Sequence, residues 1–126
     1  MSEIIIYQSP DGQTQLDVQM DKQTVWLSQA QMALLFERDQ SVISRHIRNV
    51  FVEGELEEKS NMQNLHIANS DKPVVFYSLD VIISVGYRVK SQRGTQFRQW
   101  ATQRLKDYLV QGCIIPAKVN TQFRSK

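Results

Sequence analysis

Residues 26–51 read WLSQAQMALLFERDQSVISRHIRNVF, a pattern that predicts two short helices joined by a tight turn. Ser28, followed three positions later by Gln31, forms a capping box, which marks a helix start. Asp39 is a favourable N-cap for a second helix at residues 40–51. Apolar residues recur at helical spacing along one face of this second helix, at Ile43, Ile47, Val50 and Phe51.

The opposite face of the second helix is polar and contains no acidic residue. Its members are Gln40, Ser41, Ser44, Arg45, Arg48 and Asn49. Every one of these side chains can donate a hydrogen bond. A helix-turn-helix protein places a helix of this kind in the major groove of DNA. The segment therefore predicts a DNA-binding helix-turn-helix.

The predicted DNA contacts divide into bases and phosphates. The first turns of the second helix would face the bases, through Gln40, Ser41, Ser44 and Arg45. Phosphates would be held by the later residues of that helix and by backbone N–H groups at the start of the first, that is, by Arg48, Asn49, Ser28 and Gln29. An acid-free basic loop at residues 88–98 would add electrostatic attraction through Arg88, Lys90, Arg93 and Arg98. The alternative for this loop is a solvated basic patch without a DNA contact.

The rest of the chain predicts an α+β fold. Three short strands within residues 3–27 form a small N-terminal antiparallel sheet. A β-hairpin of strands 61–67 and 73–78 follows the helix pair, as a wing does in a winged-helix domain, and two C-terminal helices span residues 79–89 and 95–111, with Gly112 as the stop. Lys72 or His66 would bring the wing to DNA, the alternative being a purely structural hairpin.

Length and composition bound the chain further. Its 126 residues predict one helix-turn-helix domain at residues 1–113 and a loose basic tail at 114–126. The net charge of +2 is too small to indicate nucleic-acid binding by itself. A single cysteine, no long apolar run and an acidic N-terminus favour a cytoplasmic protein without a membrane segment. The glutamates that follow the second helix, Glu53, Glu55, Glu57 and Glu58, should face away from DNA.

No catalytic or metal-binding pattern is present in the sequence, which predicts a non-enzyme without a cofactor. His46 and His66 lack metal-ligand spacing, and His46 falls on the inner edge of the second helix, as expected for a partly buried structural histidine. The five glycines form no phosphate-binding loop. Cys113 lies beside two isoleucines, which favours burial over reactivity.

The chain resembles the N-terminal region of the RhuM virulence-associated family. The resemblance runs through WLSQAQMALLF, SVISRHIRNVF, EGEL and LDVIISVGYRVKSQRGTQFRQWA, across residues 4–113. It implies a bacterial protein that binds DNA and is often encoded on mobile or pathogenicity-associated DNA. Longer members carry a further C-terminal region. The segment FRQWATQRLKDYLVQG has a weaker likeness to phage antirepressor N-terminal domains.

The leading hypothesis is a sequence-specific transcriptional regulator that binds double-stranded DNA as a homodimer, because helix-turn-helix proteins commonly occupy paired half-sites. The alternative is an antirepressor-like protein-interaction module that acts on a partner regulator. One departure concerns the turn between the two helices. Glu37 stands where many helix-turn-helix units have glycine, and Arg38 stands where they tend to have an apolar residue. A longer or differently shaped turn is therefore expected.

Overall fold

A computed structural model describes residues 3–21, 23–66 and 71–114, with side chains up to Val110. Most of the predicted tail, the interior of the predicted wing loop and the Cys113 side chain lie outside the described residues. The described strands are β1 (Glu3–Gln8), β2 (Gln15–Met20), β3 (Val25–Ser28), β4 (Met62–Leu65) and β5 (Val74–Ser78). The described helices are α1 (Gln29–Phe36), α2 (Gln40–Val52), α3 (Glu58–Asn61), α4 (Leu79–Arg88) and α5 (Gln92–Ile114).

The strands form a single antiparallel sheet with the order β1-β2-β3-β5-β4. The predicted α+β class is confirmed, but the sequence pattern predicted two separate β-units. They are joined because β3 pairs with β5, with Trp26 opposite Ser78 and Ser28 opposite Phe76. The strand that leads into α1 is thereby hydrogen-bonded to the second strand of the predicted wing hairpin.

The core lies between one face of the sheet and the helices. Alternation in β2 directs Leu16, Val18 and Met20 into the core, as its period of two requires. The apolar positions predicted for α2 are buried at Ile43, Ile47 and Val50, whereas Phe51 is only half-buried and lies against the ring of Tyr77, with the ring centroids 6.4 Å apart. Both helices of the predicted pair therefore present an apolar face to a shared core.

The turn between α1 and α2 is three residues long. The predicted capping box at the start of α1 is present, with Ser28 Oγ accepting from the Gln31 N–H and Gln31 Oε1 accepting from the Ser28 N–H. At the other end of α1, Glu37 adopts a left-handed conformation (φ 57°, ψ 49°). Asp39 occupies the N-cap position of α2 but makes no capping hydrogen bond through its side chain. Glu37 thus takes up the backbone shape that glycine adopts most easily.

The predicted α4 is confirmed, whereas the bounds predicted for the last helix are wrong. α5 begins at Gln92 rather than residue 95 and continues through the predicted stop at Gly112 to Ile114. Ser91 explains the early start, because its Oγ accepts from the Arg93 N–H at 3.2 Å.

Gly94 lies inside the first turn of α5 because α4 approaches closely there. A Cβ placed on Gly94 would come within 3.5 Å of the Gly86 Cα and 3.3 Å of the Phe36 ring. Gly86 has the same surroundings, since its own added Cβ would lie 3.2 Å from that ring. The two glycines allow α4 and α5 to meet over Phe36, and the predicted basic loop is reduced to the three residues Val89, Lys90 and Ser91.

The left-handed Glu37 yields a stability prediction. A non-glycine residue in this conformation carries a cost of about 1–2 kcal/mol. Glycine avoids this cost, although its more flexible backbone loses more conformational entropy on folding. We expect Glu37→Gly to be more stable than Glu37→Ala by about 1 kcal/mol in urea unfolding. The two variants lack the same carboxylate, so the comparison isolates the backbone. Equal stabilities would contradict the left-handed turn.

Candidate nucleic-acid interface

Helix α2 separates its buried and exposed residues as the sequence predicted. Its apolar face packs into the core, while Gln40, Ser41, Arg45 and Arg48 are exposed and Ser44 and Asn49 are half-buried. At 13 residues, α2 is about 20 Å long, which suits a helix that enters a DNA groove. The exposed face is polar from Gln40 to Asn49 and carries no acid.

The starts of α1 and α2 lie side by side. Gln40 Nε2 is 3.5 Å from Gln29 Oε1, so one predicted base contact and one predicted phosphate contact are neighbours. These two residues border a groove that is completed by Ser28, Ala30, Val74, Val75 and Tyr77. The β5 residues of this groove were not identified from the sequence, because their proximity depends on the pairing of β3 with β5.

Ser28 is already engaged within the protein. Its backbone N–H donates to Gln31 Oε1 at 2.9 Å, its hydroxyl caps α1, and the residue is buried. Gln31 is held in turn by a hydrogen bond from its Nε2 to the Asp17 carbonyl at 2.6 Å. A phosphate contact through the Ser28 N–H would require the capping box to break.

Arg45 and Arg48 make no ion pair or side-chain hydrogen bond with any residue that the structure describes. Both guanidinium groups are exposed, and their charge is therefore available to an external anion. Arg45 lies within the first two turns of α2 and Arg48 about one turn further along. Guanidinium groups suit both guanine edges and phosphates, because their N–H donors form a planar fork.

Arg88 is occupied by two carboxylates. Its Nη2 atom is 2.7 Å from Glu53 Oε1 and 2.8 Å from Glu55 Oε1, and Ser84 Oγ donates to Glu55 Oε2. The hydrogen bond from Arg88, followed by that from Ser84, lowers the pKa of Glu55. The acidic segment that follows α2, residues 53–58, is thereby held against α4. Arg88, predicted as a phosphate contact, has its charge balanced inside the protein.

Arg93 is also engaged by acids, and its side chain is only 16% exposed. It donates to Thr14 Oγ1 at 2.8 Å and to Asp11 Oδ2 at 3.2 Å, and its Nε lies 3.5 Å from Glu37 Oε1. The hydrogen bond from Ser9 is the main cause of the lowered pKa of Asp11, to which Arg93 adds a smaller electrostatic contribution. Arg93 therefore links the β1–β2 turn to the turn between α1 and α2.

Lys90 and Arg98 are the two exposed members of the predicted basic set, and neither forms an ion pair with the described residues. Lys90 directly follows Val89, whose carbonyl accepts a 2.9 Å hydrogen bond from Arg38 Nη2. This bond brings the end of α4 to the turn before α2. Lys90 is therefore positioned beside that turn, while Arg98 lies on α5 in a cleft shared with Tyr87.

Arg38 has a role that the sequence did not reveal. Its guanidinium group donates to the carbonyls of Phe36, Glu37 and Val89, at 3.1, 3.3 and 2.9 Å. These bonds satisfy carbonyl groups at the ends of α1 and α4, where helical partners are lacking. The arginine that replaces an apolar turn residue thus braces the turn. No local signal could have shown this, because Val89 is 51 positions away.

His46 lies half-buried on α2, as the sequence predicted. Burial is the main cause of its lowered pKa, followed by repulsion from Arg45 and Arg88. Its Nδ1 atom is buried and has no hydrogen-bond partner among the residues that the structure describes. Among the described residues, no group of three or more histidine, cysteine or acidic side chains could hold a metal ion, and no described helix is long and apolar enough to cross a membrane.

Comparison with known proteins identifies the family. The model of the virulence protein RhuM family matches residues 56–124, more than half of the chain. The chain belongs to this family. No curated protein and no solved structure matches it. The RhuM match begins just before α3 and includes β4, β5, α4 and α5, whereas α1 and α2 precede it.

Glu55 gives this RhuM-family chain a testable pH dependence. Because its pKa is lower in the folded state, the carboxylate stabilises the protein above the unfolded pKa, and this contribution disappears as the pH falls through the folded pKa. We expect Glu55→Gln to lower the free energy of unfolding at pH 7 by about 0.2–1 kcal/mol, a small effect because the pair is partly exposed. The difference from the unsubstituted chain should vanish in acid. Glu58→Gln, at an exposed residue without an ion pair among the described residues, is the control, and an equal effect there would contradict the assignment.

Proposed function

We propose that this RhuM-family protein binds double-stranded DNA and regulates transcription, with α2 lying in the major groove. The observation that carries the proposal is the outer face of α2, which is exposed, acid-free and includes two arginines without ion-pair partners among the described residues. Gln40 would pair with adenine and Arg45 with guanine, and Ser41 and Ser44 would serve as adaptable partners.

The order and pairing of the elements support a winged-helix version of this proposal. β3 leads into α1 and α2, and the hairpin of β4 and β5 follows. β3 pairs with β5, so the strand before the helix pair and the hairpin after it belong to one sheet. The hairpin would be the wing, held at the side of the groove that Gln29 and Gln40 border.

The proposed phosphate contacts are chosen by which charges and donors are available. Ser28, Arg88 and Arg93 are left out, because each is held by hydrogen bonds or ion pairs within the protein. The remaining candidates come from three places: the start of α1, the end of the exposed polar face of α2, and the exposed basic residues near α4 and α5. They are Gln29, Arg48, Asn49, Lys90 and Arg98. Each phosphate neutralised by a cation would steepen the salt dependence of binding.

The ion pairs formed by the acidic segment also support an orientation in which the N-terminal half of α2 enters the DNA groove. Glu53 and Glu55 follow the last residue of α2 and bind Arg88 on α4. Arg88 balances one of their two negative charges, and both carboxylates lie at the far end of α2 from Gln40. A helix with donors at its start and acids beyond its end would be oriented with its start toward the DNA.

A protein-interaction function is the second candidate, and an exposed apolar surface on α5 favours it. Leu109 and Val110 are both exposed, beside the half-buried Tyr108. The weak antirepressor likeness covers the same helix. Such a surface could bind another regulator, and binding assays with DNA distinguish the two candidates.

Substitution of Arg45 tests the assigned reading role. Sites would first be selected from random duplexes with the full chain. We expect Arg45→Ala to weaken binding to the selected site by about 1–3 kcal/mol in fluorescence anisotropy and to relax the preference at one base pair. Arg104→Ala is the matched control, since it removes an equal charge from an exposed position on α5 and should change the affinity little.

Two results would contradict the proposal. If Arg45→Ala weakens binding equally on every sequence, Arg45 contacts phosphate and the base-reading assignment is wrong. If the unsubstituted protein does not bind even non-specific duplex at low salt, at concentrations near 10⁻⁴–10⁻⁶ M, the DNA-binding proposal is overturned.

A further inference from the structure

Strand β1 is an edge strand without the features that usually protect an edge. Among the described strands it pairs with β2 alone, in an uninterrupted register from Glu3–Met20 to Gln8–Gln15, so no bulge turns it away. Its sequence, EIIIYQ, contains no proline and a single charge at its first residue. Edge strands commonly carry charges, prolines or bulges, because their free N–H and C=O groups otherwise pair with another chain.

The hydrogen-bonding pattern identifies the backbone groups that are free at this edge. Ser9 N donates to Thr14 O at 2.9 Å, which closes the turn between β1 and β2. Ser9 and Thr14 are therefore a hydrogen-bonded pair, and such pairs occur at every second position of an antiparallel ladder. Tyr7 and Ile5, two and four positions before Ser9, accordingly direct their N–H and C=O groups toward β2. Ile4 and Ile6 therefore direct theirs outward, where no described strand lies.

The same two residues also present exposed apolar side chains. Ile4 is 60% exposed and Ile6 is 57% exposed, on the sheet face opposite the core. Tyr7, on the other face, is buried against Phe97 and Trp100. Free backbone groups and exposed isoleucines thus coincide at one edge.

We propose that β1 is the interface at which a second copy of this chain adds to the sheet, antiparallel and about a two-fold axis. Ile4 would exchange both backbone hydrogen bonds with the partner's Ile6, and Ile6 with the partner's Ile4, so that Ile5 faces the partner's Ile5. Residues directly opposite one another must project from the same face, and this register meets that condition. It also brings the four exposed isoleucines together on one face.

A second copy is favoured as the occupant because the edge is complementary to itself. A register centred on Ile5 satisfies the outward groups of both chains with the same groups of the other, and it keeps the two Glu3 carboxylates apart at opposite ends. Since each chain contributes the same edge, the two-fold contact closes and does not propagate through β1. The proposal supplies an interface for the homodimer expected of the proposed function, but it rests on the sheet edge and can be tested without DNA.

The first test measures association of the full chain in the absence of DNA. We expect sedimentation velocity to show a concentration-dependent monomer–dimer equilibrium, and Ile4→Lys to raise the dimer dissociation constant about tenfold or more, because a charge would then lie within the paired edge. Leu34→Lys is the matched control, since Leu34 is 61% exposed on α1. It should leave the equilibrium unchanged. Circular dichroism would establish that both variants are folded.

The second test examines the register by disulfide formation in a Cys113→Ser background, which removes the single native thiol. Ile5→Cys should cross-link under mild oxidation, because Ile5 and the partner's Ile5 would form a non-hydrogen-bonded pair with Cα atoms about 4.5 Å apart. Ile6→Cys should not, because in this register its own counterpart lies diagonally, at about 7–8 Å.

Several results would overturn the proposal. A protein that remains monomeric at high micromolar concentration has no such interface, even if it binds DNA. A dimer that is disrupted by Leu34→Lys but not by Ile4→Lys uses another surface. Cross-linking of Ile6→Cys without Ile5→Cys would exclude the stated register.

Discussion

The pairing of β3 with β5 is the constraint on which the rest of the structure depends. It joins Trp26, Leu27 and Ser28 to the strand at Phe76–Ser78, so that residues some fifty positions apart share one ladder. β3 leads directly into α1, and β5 leads directly into α4. One strand pair therefore fixes the starting points of two helices. Both N-caps, Ser28 and Ser78, lie in this ladder, and each hydroxyl accepts from the first turn of its helix.

Packing against Phe36 then fixes how closely α1, α4 and α5 approach one another. The side chain lies at the end of α1, against Gly86 on α4 and Gly94 on α5, at distances that leave no room for a Cβ without adjustment. Because protein interiors are close-packed, this contact determines how near α1, α4 and α5 can come. Arg38 adds hydrogen bonds from the turn to the end of α4. The turn before α2 is consequently held by a core contact on one side and by backbone acceptors on the other.

Local pattern was sufficient to predict much of the fold. The capping box at Ser28 and Gln31, the spacing of Ile43, Ile47 and Val50, and the alternation in β2 are all recorded within a few residues of sequence. The start of α5 was predicted wrongly because Gly94 was read as a loop residue, whereas it is needed where two helices approach closely. Its reason is a distant contact with Gly86 and Phe36, which no local pattern contains.

The state of the basic residues could not be predicted for the same reason. A run of cations without nearby acids in sequence, at residues 88–98, predicts a basic loop that attracts DNA, or else a solvated basic patch. Arg88 instead meets glutamates 33 and 35 positions away, and Arg93 meets an aspartate 82 positions away. Charge along a sequence measures composition, while the field outside a protein depends on which charges are balanced across the fold. The exposed arginines of α2 are not cancelled in this way, because neither Arg45 nor Arg48 forms an ion pair with a residue that the structure describes.

These contacts connect the segment matched by the family model to the helix pair that precedes it. Residues 56–124 include β5, α4 and α5, which supply Gly86, Gly94 and the carbonyl of Val89 to the turn before α2. Helices α1 and α2 lie outside the matched segment, yet their relative position depends on residues within it. The matched segment can therefore act as the support that orients α2, and α2 can vary on its outer face without disturbing that support. A change in the polar residues of α2 would then alter the exposed surface of that helix, whereas a change at Gly86 or Gly94 would alter how the helix pair is held.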